Sequence, residues 1–204
     1  MILLLAVIIG LLAGLLRSYH YRQPFIIPEL RTPWLVVLAF APQLIAFYLP
    51  YVRRTITTPA AAIALVTSQL LLLLFGWQNR HYRAFWLLNL GLLCNLLVIG
   101  SNGGLMPISP ETVQRLRPDR AITTWQLGAR LGASKDRLLP VASTRFALLA
   151  DRLTLPAWVP YQVAFSLGDL LIAGGVLLFF WNAGSPAAKT VSHDDNDHEQ
   201  HLVP

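Results

Sequence analysis

The sequence predicts an all-α, multi-pass integral membrane helical bundle of about five spans, with a polar, partly helical segment between the last two spans. Three observations predict this fold. Only 13% of the 204 residues are charged and 55% are hydrophobic, whereas a soluble domain carries about 25% charged residues. The apolar residues lie in long runs without charge, and arginines or aromatic residues flank most of the runs. Such runs are typical of helices surrounded by hydrocarbon.

Each apolar run is interpreted as one span of a transmembrane helical domain that covers residues 1–183. Pro42 predicts a kink in the second span, because proline removes a helical hydrogen bond. Pro59 suits the first turn of the third span. The spans are predicted near residues 1–17, 33–52, 59–77, 84–100 and 163–181.

Residues 101–162 form the polar segment between the fourth and fifth spans. Ser109 predicts a helix start, since it precedes a proline and an acid. A second short helix is predicted from Ser143 to about Leu153, with its apolar face on the membrane surface or dipping into it. Counting basic residues favours a cytoplasmic position for the segment.

The last residues, 184–204, are predicted to be a disordered tail that is acidic and contains histidines. Its cluster of His and Asp side chains is of a type that can hold a divalent metal weakly, but nothing fixes a ligand geometry. We therefore predict no metal site and no cofactor. Cys94 is the single cysteine, so an internal disulfide is excluded.

The net charge of +6 raises the question of a nucleic-acid partner. The arginines flank the apolar runs, where they would meet lipid headgroups. Membrane lipid is therefore the predicted partner, other membrane subunits are a second class of partner, and nucleic acid is not expected.

Asp169 is the one acid inside an apolar span, and an intramembrane carboxylate is a candidate functional group. Its structural alternative is a position near the helix start, where it would complement the helix dipole. The pair Asp151 and Arg152 is the second candidate. Adjacent helical residues point in different directions, so Arg152 or Arg145 is predicted to reach Asp169.

Asn102, Gly103 and Gly104 are the third candidate, because glycine permits close backbone approach and Asn102 offers hydrogen bonds at the end of a span. A simple turn that ends the span is the alternative. Other small or polar residues in the spans are predicted to serve helix packing. These are Asn89, Asn95, Gly168, Gly174 and Gly175.

The strings 101–107 (SNGGLMP), 150–152 (ADR) and 165–169 (FSLGD) together resemble a family of small bacterial multi-pass membrane proteins that is catalogued as a domain of unknown function. The resemblance covers most of the chain. It implies a location in the bacterial plasma membrane, but no activity.

The same strings are similar, more distantly, to motifs of signal peptidase II, a membrane aspartyl peptidase. That resemblance implies that Asp169 is one catalytic aspartate and that Asp151 and Arg152 are a supporting pair. The family's other catalytic aspartate has no counterpart in residues 154–162. Aspartyl hydrolysis needs two carboxylates that share a proton, so Asp151 is the acid available as the partner.

The sequence therefore favours a non-catalytic membrane subunit or a binder of lipid or a small molecule, with the polar segment covering a cavity beside Asp169 and Asn102. The alternative is a membrane hydrolase that uses Asp169 with Asp151. A transporter is disfavoured by the scarcity of intramembrane charge pairs.

Overall fold

A computed structural model of the protein describes residues 2–119, 126–156 and 158–184, and most of these residues are helical. The helices are α1 (Ile2–His20), α2 (Trp34–Gln43), α3 (Val52–Thr55), α4 (Thr58–Gln78), α5 (Arg83–Ser101), α6 (Pro110–Leu116) and α7 (Leu167–Ala183). The strands are β1 (Met106–Ile108), β2 (Asp136–Leu138), β3 (Leu153–Thr154) and β4 (Ala164–Phe165).

Three of the helices, α1, α4 and α5, are long and apolar enough to cross a membrane. Two further helices are apolar but shorter: α7, and α2 together with the π-helical turn Leu44–Tyr48 that follows it. The helical fold is thus confirmed, and three of the five predicted spans have the length that a crossing requires.

Prolines and caps set several of the helix boundaries. The π-helical turn begins two residues after Pro42, which confirms a distortion at this proline. Thr57 caps α4 by accepting a hydrogen bond from the Ala60 N–H, with Pro59 in the first turn. The predicted start of the last span, at residue 163, is wrong, because residues 164–165 pair with β3 and α7 begins at Leu167.

The five apolar helices pack as a row in the order α1, α7, α5, α4, α2. Glycines bring α5 and α7 close, since an added methyl at Gly91 would lie 2.5 Å from the Gly168 carbonyl oxygen. Gly168 and Gly175 confirm the predicted packing role, whereas Gly174 has nothing within 4 Å of an added methyl. The end of α5 and the start of α7 therefore lie side by side, and the polar segment connects them.

The described part of residues 101–166 forms a cap over these helix ends. In the cap, β1 pairs with β2 in parallel and β3 pairs with β4 in antiparallel orientation. The buried residues Leu105 and Met106 join it to α4 and α5 through Leu65 and Val98. Ser109 caps α6 by accepting from the Thr112 N–H at 3.2 Å, as predicted.

The predicted helix from Ser143 to Leu153 is wrong. Two 3₁₀ turns, Val141–Ser143 and Ala147–Leu149, occupy this region. Phe146 between them has φ of 55°, a left-handed conformation that a right-handed helix cannot contain. Apart from Gly184, the predicted disordered tail lies outside the described residues, so that prediction stands as it was made.

Candidate functional site

Strand β1 brings two charged residues from distant parts of the cap to one place. Met106 donates its N–H to the Lys135 carbonyl at 3.1 Å, which fixes Lys135 just before β2. On the other side, the Asp151 N–H donates to the Pro107 carbonyl at 3.2 Å. Lys135 and Asp151, which are far apart in the sequence, therefore both flank β1.

The Lys135 ammonium pairs with two carboxylates. Its Nζ lies 2.7 Å from Asp151 Oδ2 and 3.0 Å from Asp136 Oδ1. The Lys135 side chain is 41% exposed, but Asp151 is only 2% exposed. One partner of the ion pair thus lies in the protein interior, where an unpaired charge is costly.

Asp151 has spare hydrogen-bonding capacity. Its Oδ1 is buried and has no hydrogen-bond partner among the described residues. Burial raises the pKa of Asp151 to about 7, and the neighbouring acids Asp136 and Asp169 add to this rise while Lys135 opposes it. Asp151 can therefore accept a further hydrogen bond, and it gains or loses a proton near neutral pH.

Asp169 is held by the start of α7. Its Oδ2 accepts from the Ser166 N–H at 3.2 Å while its own N–H donates to Ser166 Oγ at 2.9 Å, which is a capping box. Its Oδ1 accepts from Asn95 Nδ2 of α5 at 2.9 Å. This geometry fits the alternative in which Asp169 stabilises the helix start, and it confirms that Asn95 bonds another helix.

Electrostatic interactions connect Lys135 with the carboxylates of Asp136, Asp151 and Asp169, and these four residues are called the charged cluster. Burial disfavours the charged form of Lys135, but the carboxylates of Asp136, Asp151 and Asp169 outweigh this effect and raise its pKa. Lys135 is therefore a permanent cation at neutral pH. Lys135 and Arg130, which interacts electrostatically with Asp136, offset two of the three carboxylates, so the unoffset acid can still favour a cation or a hydrogen-bond donor.

Asn102 lies outside this cluster, and its side chain hydrogen-bonds to the backbone of Arg145 in the cap. Its Oδ1 accepts from the Arg145 N–H at 3.0 Å, and its Nδ2 donates to the Arg145 carbonyl at 2.9 Å. Gly103 and Gly104 have φ of 85° and 82°. Added methyl groups there would collide with Arg137 and Ala62, so these glycines serve a tight turn against α4.

Neither predicted arginine partner reaches Asp169. Arg145 is engaged through its backbone by Asn102. Arg152 is exposed, and the salt bridges within the described ranges are those of Lys135. The structure brings Asp151 and Asp169 into one cluster with Lys135, and it leaves Asn102, Arg145 and Arg152 outside.

Lys135 and Asp136 were missed at the sequence level. They lie in the polar segment, where charged residues are ordinary, and no spacing links them to Asp151 or Asp169.

Comparison with known proteins gives one result. The family described as "Family of unknown function (DUF5317)" matches residues 28–181, which include every residue of the charged cluster. No curated protein and no solved structure matches the chain. The likeness to signal peptidase II is not shown by these comparisons.

Proposed function

The chain belongs to DUF5317, a family of unknown function, and we propose that it is a non-catalytic integral membrane protein that binds a small ammonium compound in its cap. The observation that carries the proposal is the Oδ1 of Asp151, which is buried and has no hydrogen-bond partner within the described ranges, in a group of carboxylates that Lys135 and Arg130 do not fully offset. A bound ammonium group would supply the missing donor and offset the charge.

The membrane part of the proposal assigns five spans and a multi-pass position in the cell membrane. Besides α1, α4 and α5, it places α7 and α2 with its π-helical turn across the bilayer. Their apolar composition and their packing between or beside the long helices support this assignment. The shorter lengths would be accommodated by local thinning of the bilayer.

Binding is favoured over catalysis because both oxygens of Asp169 and one oxygen of Asp151 already have partners in the protein. Lys135 occupies Asp151 Oδ2, and both oxygens of Asp169 accept hydrogen bonds from the protein. A pair of acids that shares one proton needs free carboxylate oxygens facing each other. The described contacts are those of charged groups that bond to each other and to the backbone, which supports a binding role over a catalytic one.

We expect ethanolamine to stabilise the purified protein in detergent micelles. At 100 times its apparent Kd it should add about 2.7 kcal/mol to the free energy of unfolding by mass action. Ethylene glycol, which has the same size without the charge, should have no effect. Thermal unfolding with increasing concentrations of each compound measures the difference.

Asp151→Asn should remove the stabilisation by ethanolamine, because it removes the negative charge from the oxygen that accepts the bond. Asp119→Asn is the matched control, since this acid lies in the cap at the end of α6 and outside the cluster. An equal effect of ethanolamine on wild type and Asp151→Asn would contradict the proposal.

The second candidate function is a membrane aspartyl hydrolase that uses Asp169 with Asp151. The observation that favours it is the raised pKa of Asp151 beside a second carboxylate, since an acid that is protonated near pH 7 can act as a general acid. Lys135 weighs against this candidate, because its ammonium already pairs with Asp151 Oδ2 at 2.7 Å.

If the protein is a hydrolase, Asp169→Asn will abolish cleavage of a lipid-modified precursor protein in vesicles. Ser166→Ala is the control, because it removes the capping hydroxyl and leaves both carboxylates in place. Cleavage that persists in Asp169→Asn, or that is lost equally in both variants, would remove the hydrolase candidate.

A further inference from the structure

A groove between α4 and α5 lies far from the charged cluster, towards the opposite ends of the helices. Its volume is about 570 Å³, which is within the usual range of ligand pockets. Its wall is almost entirely apolar and includes two tryptophans. The lining residues are Leu70, Leu73, Leu74, Trp77, Trp86, Asn89, Leu90 and Leu93.

Asn89 is the polar group of this lining. It is 6% exposed, and neither its Oδ1 nor its Nδ2 has a hydrogen-bond partner within the part of the chain that the structure describes. The prediction that it bonds another helix is therefore wrong for the described contacts. The side chain packs against Gly76, where an added methyl would collide with its amide.

An unpaired amide within a span is unfavourable, because hydrocarbon offers no hydrogen bonds. Asn95, two turns along the same helix, contrasts with Asn89 since it bonds Asp169 and Ser166. The amide is packed against Gly76, so an occupant of the groove that carries a carbonyl or a hydroxyl would satisfy Asn89 once its side chain turns towards the groove.

The mouth of the groove has the chemistry of a membrane interface. Trp77 lies in the last turn of α4 and Trp86 in the first turn of α5, and they are 53% and 58% exposed. Arg80 stacks over the Trp77 ring at 4.5 Å and donates to the Trp77 carbonyl at 3.1 Å. Arg83 follows at the first position of α5. Two cations thus lie beside an apolar groove that opens between tryptophans.

The spacing along α5 suits a phospholipid. Asn89 is six residues beyond Arg83, which is about 9 Å along a helix. An amide at that depth lies deeper in the bilayer than the two arginines. When the phosphate of a phospholipid is at the level of the arginines, its ester carbonyls lie at the depth of this amide. The apolar remainder of the groove would then hold the acyl chain.

We propose that the α4–α5 groove binds an anionic phospholipid, with an acyl chain along Leu70, Leu73 and Leu93, an ester carbonyl that accepts from Asn89 Nδ2, and the anionic headgroup between Arg80 and Arg83. This site is separate from the ammonium site proposed for the cap. Its occupant is identified by charge complementarity at the mouth and by the unpartnered amide in the wall.

Native mass spectrometry tests the proposal on the full chain in detergent, with phosphatidylglycerol and phosphatidylcholine of identical acyl chains as probes. Wild type should retain phosphatidylglycerol more tightly than phosphatidylcholine. Arg80→Gln with Arg83→Gln should lower phosphatidylglycerol retention to the phosphatidylcholine level. Arg53→Gln with Arg54→Gln, in α3 at the opposite helix ends, is the matched control and should leave the preference unchanged.

Asn89→Leu should weaken retention of both lipids by roughly 2- to 10-fold, the value of one hydrogen bond. Leu90→Trp should fill the groove and release both, whereas Leu12→Trp on an exposed position of α1 should not. Equal retention of the two lipids by wild type would overturn the proposal. So would a dimer that Leu90→Trp dissociates, since a second copy would then occupy the groove.

Discussion

Lys135→Met is expected to destabilise the protein by about 2–3 kcal/mol at pH 8. Removing one partner of a buried ion pair costs about 3–5 kcal/mol, and the exposure of Lys135 reduces this figure. The physical reason is that Asp151, at 2% exposure, would lose its counter-ion and would have to carry an unpaired buried charge or take up a proton at a pH that disfavours protonation. Denaturant titration in mixed micelles measures the loss.

The loss should shrink as the pH falls. Burial raises the pKa of Asp151 from its ordinary 3.8 to about 7, so the folded state binds the proton more tightly than the unfolded state. Protonation of Asp151 therefore contributes its full stabilisation to the folded state below about pH 4, and this stabilisation is lost as the pH rises through 7. Without Lys135 the pKa of Asp151 rises further, because the opposing cation is gone, so variant and wild type should converge by pH 5.

Adding Asp151→Leu to Lys135→Met should restore most of the stability, since an apolar pair of similar volume replaces a buried ion pair with little change. The double-mutant cycle separates this result from a loss of packing by Lys135 alone. A double variant that is less stable than Lys135→Met would refute the ion-pair explanation.

Gly175→Ala is the second change with a large expected effect, a destabilisation of about 1–3 kcal/mol from overpacking. The added methyl would lie 2.7 Å from Leu88 Cγ and 2.9 Å from the Ala84 carbonyl oxygen. Because one of these contacts is with the backbone of α5, the two helices must separate. Thermal unfolding in detergent should show a lower midpoint.

Gly174→Ala is a matched control one residue away. Nothing lies within 4 Å of a methyl at that position, and alanine favours a helix over glycine. The variant should be as stable as wild type or slightly more stable. Equal destabilisation by the two substitutions would indicate that helix α7 responds to any added volume, against the contact argument.

The two candidate acids illustrate how far sequence reasoning reached. Asp169 was identified because a carboxylate in an apolar run is rare, and the structure gives it the role of a capping group bonded to Asn95. Asp151 is a candidate because of its place in a short motif, but the sequence indicates no distant basic partner for it and directs Arg152 or Arg145 to Asp169. The partner is Lys135, which a parallel strand pair brings to it. Pairings of this kind depend on the path of the chain and leave no local pattern.

The cap also contains one feature that a local sequence pattern predicts and one that such a pattern does not predict. The Ser109 helix start was predicted, since capping is a local interaction between residues three apart. The helix after Ser143 was not confirmed, because Asn102, more than 40 residues earlier, binds both backbone groups of Arg145. A contact that is distant in sequence overrides the local amphipathic pattern there.

The helical class and the positions of the long apolar helices were predictable from the amino-acid sequence, because hydrophobicity along a run is a local property. The row order of the helices, the pairing of Lys135 with Asp136 and Asp151, and the lack of a hydrogen-bond partner for Asn89 among the described residues became visible in the folded chain. These features arise from contacts between segments far apart in the chain, and their free energies depend on which groups are left buried without a partner.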